Sequence, residues 1–179
     1  GPVHFVGLSM GGFTALRMAA RRPDLVRSLA IIESSAEPEP LANVPRYRML
    51  VAATRVVGPK PLRARIAPIM LGRSILTDPA RKSDVARFVA IMSRRKDIWR
   101  AVNGVIDRAG VEAEVGRIRT RTLVMVGDED VATPRAKSEA LVAAIPGARL
   151  VCIPRAGHSS TVEVPAAVTG ARADFLTEH

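Results

Sequence analysis

The chain has 179 residues, of which 47% are hydrophobic, 25% charged and 3% aromatic, and its formal net charge is +10. That length and apolar content allow one domain with an aliphatic core, and exclude both an intrinsically disordered chain and two full domains. The cations are mostly Arg, scattered as at Arg17, Arg21, Arg22 and Arg87 rather than massed with aromatics that could stack on bases, so no nucleic-acid partner is expected.

Val3-His4-Phe5-Val6 is a short apolar run closed by Gly7 and predicts a buried strand. From Met10 to Arg22, Phe13, Leu16, Arg17 and Ala20 recur at steps of three and four, which predicts a helix stopped at Arg21-Arg22-Pro23-Asp24. Val26 to Ile32 reads as the next strand, and Ser34 to Pro45, rich in Pro, Ser and Glu, as a loop or linker. From Tyr47 to Gly110 the chain reads as helices, among them Arg48–Val57, Ala80–Arg95 and Ile98–Arg108, broken at Gly58-Pro59, Lys60-Pro61 and Asp78-Pro79. Alternation of strand and helix then resumes. Thr122 to Val126 is a strand ending at Gly127, Pro134 to Ile145 a helix with Pro in its first turn, Arg149 to Ile153 a strand, and Val164 to Leu176 a last helix. This order predicts an α/β fold with a mostly parallel sheet covered on both faces. The single cysteine, Cys152, falls in the strand run Leu150–Ile153, where it reads as a buried thiol, and it excludes an internal disulfide. No apolar stretch reaches the roughly 18 residues of a membrane span, so no membrane partner is expected and the expected compartment is the cytoplasm. The chain opens at Gly1-Pro2 without Met and without a visible signal peptide, which sets the expectation of a true start further upstream.

Gly7-Leu8-Ser9-Met10-Gly11 fits G-x-S-x-G, directly after a predicted strand and at the start of a predicted helix. That is the setting of a nucleophile elbow, in which small residues two before and two after the serine let the backbone turn tightly. Such a turn presents the Ser9 hydroxyl at a helix N-terminus, where the Met10 N–H faces developing negative charge. Gly12 leaves room for helix to pack on strand. A Gly-rich turn with a capping serine is the competing reading, and a phosphate loop is the weaker one because no Gly-Lys-Ser/Thr follows.

A serine hydroxyl needs a base. Of His4, His158 and His179, the first lies within a strand and the last at the terminus, whereas His158 sits in the small-residue loop Ala156-Gly157-His158-Ser159-Ser160 just after a strand. It therefore shares the carboxyl edge of the sheet with Ser9. The base in turn needs a carboxylate on its other nitrogen. Asp128, Glu129 and Asp130 all follow a strand at the same edge. Asp130 is preferred because it closes the Gly-x-x-Asp turn and precedes Val131-Ala132-Thr133-Pro134, which starts the next helix. Glu33, at the end of the preceding strand, is an outside candidate.

The motifs together resemble the α/β-hydrolase fold family, most closely its 3-oxoadipate enol-lactonase and esterase members. The resemblance is carried by Val3-His4-Phe5-Val6-Gly7-Leu8-Ser9-Met10-Gly11-Gly12, by Arg22-Pro23-Asp24-Leu25-Val26-Arg27-Ser28-Leu29, by Gly127-Asp128-Glu129-Asp130-Val131-Ala132-Thr133-Pro134, and by Ile145-Pro146-Gly147-Ala148 leading to the histidine loop. It implies a serine hydrolase of carboxylic esters or lactones that works through an acyl-enzyme, with a Ser9, His158 and Asp130 triad, an oxyanion donor at Met10 and no cofactor or metal. It implies a core over residues 1–34 and 116–179 and a helical cap over 35–115. Two departures stand out. The early strands of the family, with the loop supplying the second oxyanion donor, are missing ahead of Gly1, and Arg121 replaces a proline before the acid-bearing strand. A missing N-terminal segment is therefore expected to be needed to complete the fold, the isolated chain is expected to be poorly soluble or inactive, and a homo-oligomer is open.

The cap is expected to shape the pocket for a small ester or lactone. Candidate lining residues are Met49, Ile91, Met92, Trp99 and Ile106, with Trp99 foremost as the only tryptophan, and Val131 beside the acid. Arg residues of the cap could bind a substrate carboxylate. Carbon–carbon bond hydrolysis and cofactor-free haloperoxidation run on the same triad, and a non-catalytic remnant is the alternative outside enzymes. A haloalkane dehalogenase is disfavoured because its nucleophile would be Asp.

Overall fold

A computed structural model describes residues 1–94 and 97–177. Four parallel strands, β1 (Val3–Leu8), β2 (Val26–Ile32), β3 (Arg121–Gly127) and β4 (Arg149–Ile153), lie side by side in chain order. The two central strands are buried on both faces along residues 29–32 and 123–126, which is why those stretches read as unbroken apolar runs. On one face Leu29, Ile31 and Val124 pack under Ala15, Leu16 and Ala19 of α1 (Met10–Arg21), with Val115 of α7 (Glu112–Val115) and Leu141 of α8 (Arg135–Ala144). On the other face Ala30, Ile32, Leu123 and Met125 pack against Val168 and Phe175 of α10 (Pro165–Thr177).

Between β2 and β3 the chain leaves the sheet as helices: α2 (Val44–Val57), α3 (Arg63–Met70), α4 (Arg73–Thr77), α5 (Lys82–Ser93) and α6 (Ile98–Ile106), then α7 against the core. Helix α2 starts four residues before the predicted Arg48 because Pro45 fits a first helical turn. The predicted helix from Ala80 is present as α5, and its predicted last residue, Arg95, lies outside the described residues. A short helix α9 (Ser160–Glu163) follows the histidine loop.

The strand register positions the site. Leu8 pairs with Ile32, Ile32 with Met125 and Met125 with Val151, so the residues that follow the four strands share one carboxyl edge. The segment after Glu33 begins as a loop, as predicted, with Ser34 and Ser35 buried and the Ser34 hydroxyl donating to the Ser9 carbonyl at 2.9 Å. One detail differs from the sequence reading. Cys152 is only half-buried, because β4 has a strand on one side alone. Among the described residues no helix is long and apolar enough to cross a membrane.

Candidate active site

Ser9 stands between the end of β1 and the first residue of α1 with φ 49° and ψ −113°, a left-handed conformation that is costly for a residue with a side chain. The conformation is held by the Ser9 N–H, which donates to the Ile32 carbonyl at 2.8 Å, and by the Ser34 bond to its carbonyl. The glycines of the turn divide their work differently from the sequence expectation. A Cβ on Gly7 would strike the backbone of Gly11, and one on Gly12 would come within 2.5 Å of the Ser34 Cβ, whereas one on Gly11 would meet open space. Gly7 and Gly12 thus permit close approach, and Gly11 is the backbone that Gly7 makes room for.

His158 lies in the loop between β4 and α9 and is 5% exposed. Its Nε2 is 2.8 Å from the Ser9 Oγ, and its Nδ1 is 3.0 Å and 3.2 Å from the two Asp130 oxygens. The Asp130 carboxylate is in turn fixed by the N–H groups of Ala132 and Thr133, which donate to Oδ1 at 2.8 Å and 3.0 Å, and by the Thr133 hydroxyl, which donates to Oδ2 at 2.6 Å. An Asp whose oxygens are occupied in this way has one acceptor direction left for the imidazole, so the ring is oriented with Nδ1–H toward Asp130 and Nε2 free to accept from Ser9. Thr133 was not singled out by sequence reasoning; its signal was its place three residues after the acid at a helix entrance.

The other sequence candidates lie apart. His4 pairs through Nδ1 with the Ser28 hydroxyl at 2.7 Å, and His179 lies outside the described residues. The Asp128 N–H and the Glu129 N–H donate to the carbonyls of Ile153 and Ala156, which turns the loop so that only Asp130 faces the histidine. Glu33 is fully buried at the end of β2 and has φ 49°, and its Oε1 accepts from the Ser160 N–H at 3.2 Å rather than from His158. Burial pushes its carboxyl up to about 7, against the pull of the Ser160 hydrogen bond and the His158 charge and with the push of Asp130.

A cavity of about 280 Å³ opens over Ser9 and His158. Its walls are helical faces. From α6 come Ile98, Ala101, Val102, Val105 and Ile106, at the i, i+3, i+4, i+7, i+8 spacing of a single stripe. Helix α2 supplies Tyr47, Leu50, Val51 and Thr54, and α3 supplies Ile66, Ile69 and Met70. Thr54 spends its hydroxyl on the Leu50 and Val51 carbonyls, so it adds little polarity. Burial raises the Tyr47 phenol above its ordinary value. Of the residues predicted from sequence, Met10, Met92 and Ile106 line the cavity. Trp99 does not: it is one position, about 100° of helix, off the α6 stripe, and its ring is faced by the guanidinium groups of Arg55 at 4.6 Å and Arg100 at 5.2 Å. Val131, Met49 and Ile91 point elsewhere and are exposed by 64%, 66% and 53%. The one cavity-lining cation among the described residues, Arg108, is bound at 3.0 Å to Glu39, with both side chains 6% exposed. The Arg108 Nε also donates to the Glu37 carbonyl, and its guanidinium lies 4.0 Å over Phe13. Among the described residues no group of three or more His, Cys, Asp or Glu is placed to hold a metal ion.

The model of the alpha/beta hydrolase family matches residues 1–171. The chain is 29% identical over 178 residues to a putative carbamate hydrolase RutD of Pseudomonas savastanoi pv. phaseolicola, covering 97% of this chain and 67% of the relative. Among solved structures, an enol-lactonase from Burkholderia xenovorans LB400 superposes with a TM-score of 0.86 at 30% identity, covering 99% of this chain and 66% of that one. A thermophilic esterase from Thermogutta terrifontis superposes with a TM-score of 0.87 at 25% identity, covering 98% and 65%. The chain thus spans about two thirds of the length of these relatives.

Proposed function

We infer that this chain, which belongs to the alpha/beta hydrolase family, carries the catalytic residues of a serine hydrolase that cleaves carboxylic esters with an apolar acyl part. The observation that carries this reading is the 2.8 Å contact between the Ser9 Oγ and the His158 Nε2, on a serine held at positive φ and an imidazole held from behind by Asp130. Relatives described as an esterase, an enol-lactonase and a carbamate hydrolase support hydrolysis at an acyl carbon.

The chemistry follows from these positions. Ser9 attacks the acyl carbon while His158 takes its proton on Nε2, and Asp130 stabilises the imidazolium. The first N–H groups of α1 have no acceptor within the helix, and the Met10 N–H among them supports the negative charge on the former carbonyl oxygen. His158 returns the proton to the leaving alcohol oxygen as the C–O bond breaks, leaving the acyl group on Ser9. Water, deprotonated by His158, then releases the acid and restores the serine.

The cavity narrows the substrate class. A charged acyl chain would need a free counter-ion, and Arg108 is already neutralised by Glu39 in a nearly dry setting. Among p-nitrophenyl esters, the butyrate is therefore expected to exceed the hemisuccinate in kcat/KM by about 10-fold or more, since an unpaired buried charge costs over ~1.4 kcal/mol. Equal rates, or a preference for the hemisuccinate, would refute the apolar assignment.

The reading as a whole is tested by treating the full-length protein with a fluorophosphonate and mapping the adduct by mass spectrometry. A single phosphonylated residue at Ser9, lost in Ser9→Ala, is the expected result. An unlabelled protein, or an adduct at another residue, overturns it.

A further inference from the structure

Glu163 is 2% exposed in the last turn of α9 and takes no part in the chemistry derived above. Its Oε1 accepts from the N–H of Gly157 at 3.0 Å and from the N–H of Ser159 at 3.2 Å, the two residues that flank His158. Its Oε2 accepts from the N–H of Gly72 at 2.8 Å, the residue before α4 in the helical segment that covers the cavity. Burial raises this carboxyl, and the three backbone N–H bonds oppose that rise. A second carboxylate repeats the pattern: Glu129, the neighbour of Asp130, accepts from the Ser74 N–H at 2.7 Å and the Ser74 hydroxyl at 2.6 Å. The backbones between them touch. A Cβ on Gly157 would lie 2.6 Å from the Leu71 carbonyl carbon, and one on Gly72 would lie 2.8 Å from the Gly157 nitrogen.

From this juxtaposition we propose that Glu163 is a positioning residue for the His158 base, holding the main chain on both sides of the imidazole with one oxygen and the covering segment at Gly72 with the other. Asp130 orients the ring; Glu163 fixes the loop that carries it. A buried carboxylate is costly to keep unless its lone pairs are filled, and here they are filled by the main chain on either side of His158, which ties that stretch of the loop to the covering segment. Glu129 fastens the same segment to the acid loop, so the base, the acid and the wall of the cavity are set in one register.

The proposal rests on the serine-hydrolase reading, and the experiment separates the two. The full-length protein is compared as wild type, Glu163→Ala, Glu163→Gln and Ser74→Ala, by kcat and KM on p-nitrophenyl butyrate and by the rate of fluorophosphonate labelling. Glu163→Ala is expected to lose about 100-fold in kcat and a similar factor in labelling rate, the cost of about 1 Å of misplacement, with KM changed less than about 3-fold. Glu163→Gln keeps one acceptor oxygen in the same shape and recovers part of that loss. Ser74→Ala, which removes one of the two Ser74 bonds to Glu129 and leaves all three Glu163 bonds in place, is expected to lose clearly less labelling rate than Glu163→Ala; an equal loss would overturn the particular place given to Glu163. If Glu163→Ala does not fold, Glu163→Gln carries the test, with a loss of about 5-fold or more in kcat at constant KM expected. Wild-type kcat and labelling in a folded Glu163 variant would overturn the positioning role alone; an unlabelled wild type would overturn the serine-hydrolase reading and this role with it.

Discussion

Asp130→Asn is expected to lower kcat by about 10⁴-fold while leaving the fold intact, a loss of about 5 kcal/mol in transition-state stabilisation. The size follows from the hydrogen bonds around the carboxylate. Oδ1 accepts from two backbone N–H groups, which hold the carbonyl oxygen of an asparagine in that place. The amide nitrogen must then take the Oδ2 position and donate where a carboxylate accepted. Thr133 can rotate its hydroxyl to accept, but His158 can meet the amide only by giving up its Nδ1 proton. The proton moves to Nε2, the nitrogen that must receive hydrogen from Ser9, so the base is present in the wrong tautomer. Steady-state kinetics with thermal melting checks this. A variant within about 10-fold of wild type would remove Asp130 from the mechanism, and loss of activity in Glu33→Gln instead would transfer the role to Glu33.

Much of the frame was legible because its physical causes are local. A strand must be apolar where it is enclosed on both faces, as at residues 29–32, and Val26–Ile32 is found with the predicted bounds, Arg27 being its one exposed residue. The elbow was legible because a side chain does not fit where Gly7 meets the backbone of Gly11 and where Gly12 meets the Ser34 side chain. Asp130 could be preferred over its two acidic neighbours because a turn closing on a helix entrance leaves one direction toward the next loop. The cavity was far less legible. Its walls are stripes on separate helices, and residue type misleads where position decides: Trp99 was singled out for its size, yet it sits beside the α6 stripe while the smaller Ala101 and Val105 lie on it. The faces of α2 and α3 were hidden for the same reason, since nothing in one helix says which neighbour it will face. Glu163 carries no signal in the sequence, and Glu129 only that of a rival to Asp130, because their partners include backbone N–H groups up to 91 residues away.

Glu33 carries the second large effect, and it runs against the usual direction for a carboxylate. Its side chain is enclosed at the sheet edge, Oε2 is buried without a hydrogen-bond partner, and burial raises the carboxyl from 4.5 to about 7. A raised carboxyl means that between these values the folded chain holds a proton that the unfolded chain has released. The contribution to stability is therefore complete below pH ~4.5, shrinks as pH rises, and is lost above pH ~7. A shift of this size corresponds to at most about 3 kcal/mol. The titratable groups near Glu33 are His158, whose protonated form favours an ionised Glu33, and Asp130, which opposes it. Glu33→Gln keeps the shape and an acceptor for the Ser160 N–H but removes the titration. Urea unfolding between pH 5 and pH 8 is expected to show wild-type stability falling by up to about 3 kcal/mol more than that of the variant, with Glu33→Gln the more stable protein at pH 8. Parallel curves for the two proteins would mean that Glu33 ionises as easily in the folded chain as in the unfolded one, and would overturn this assignment.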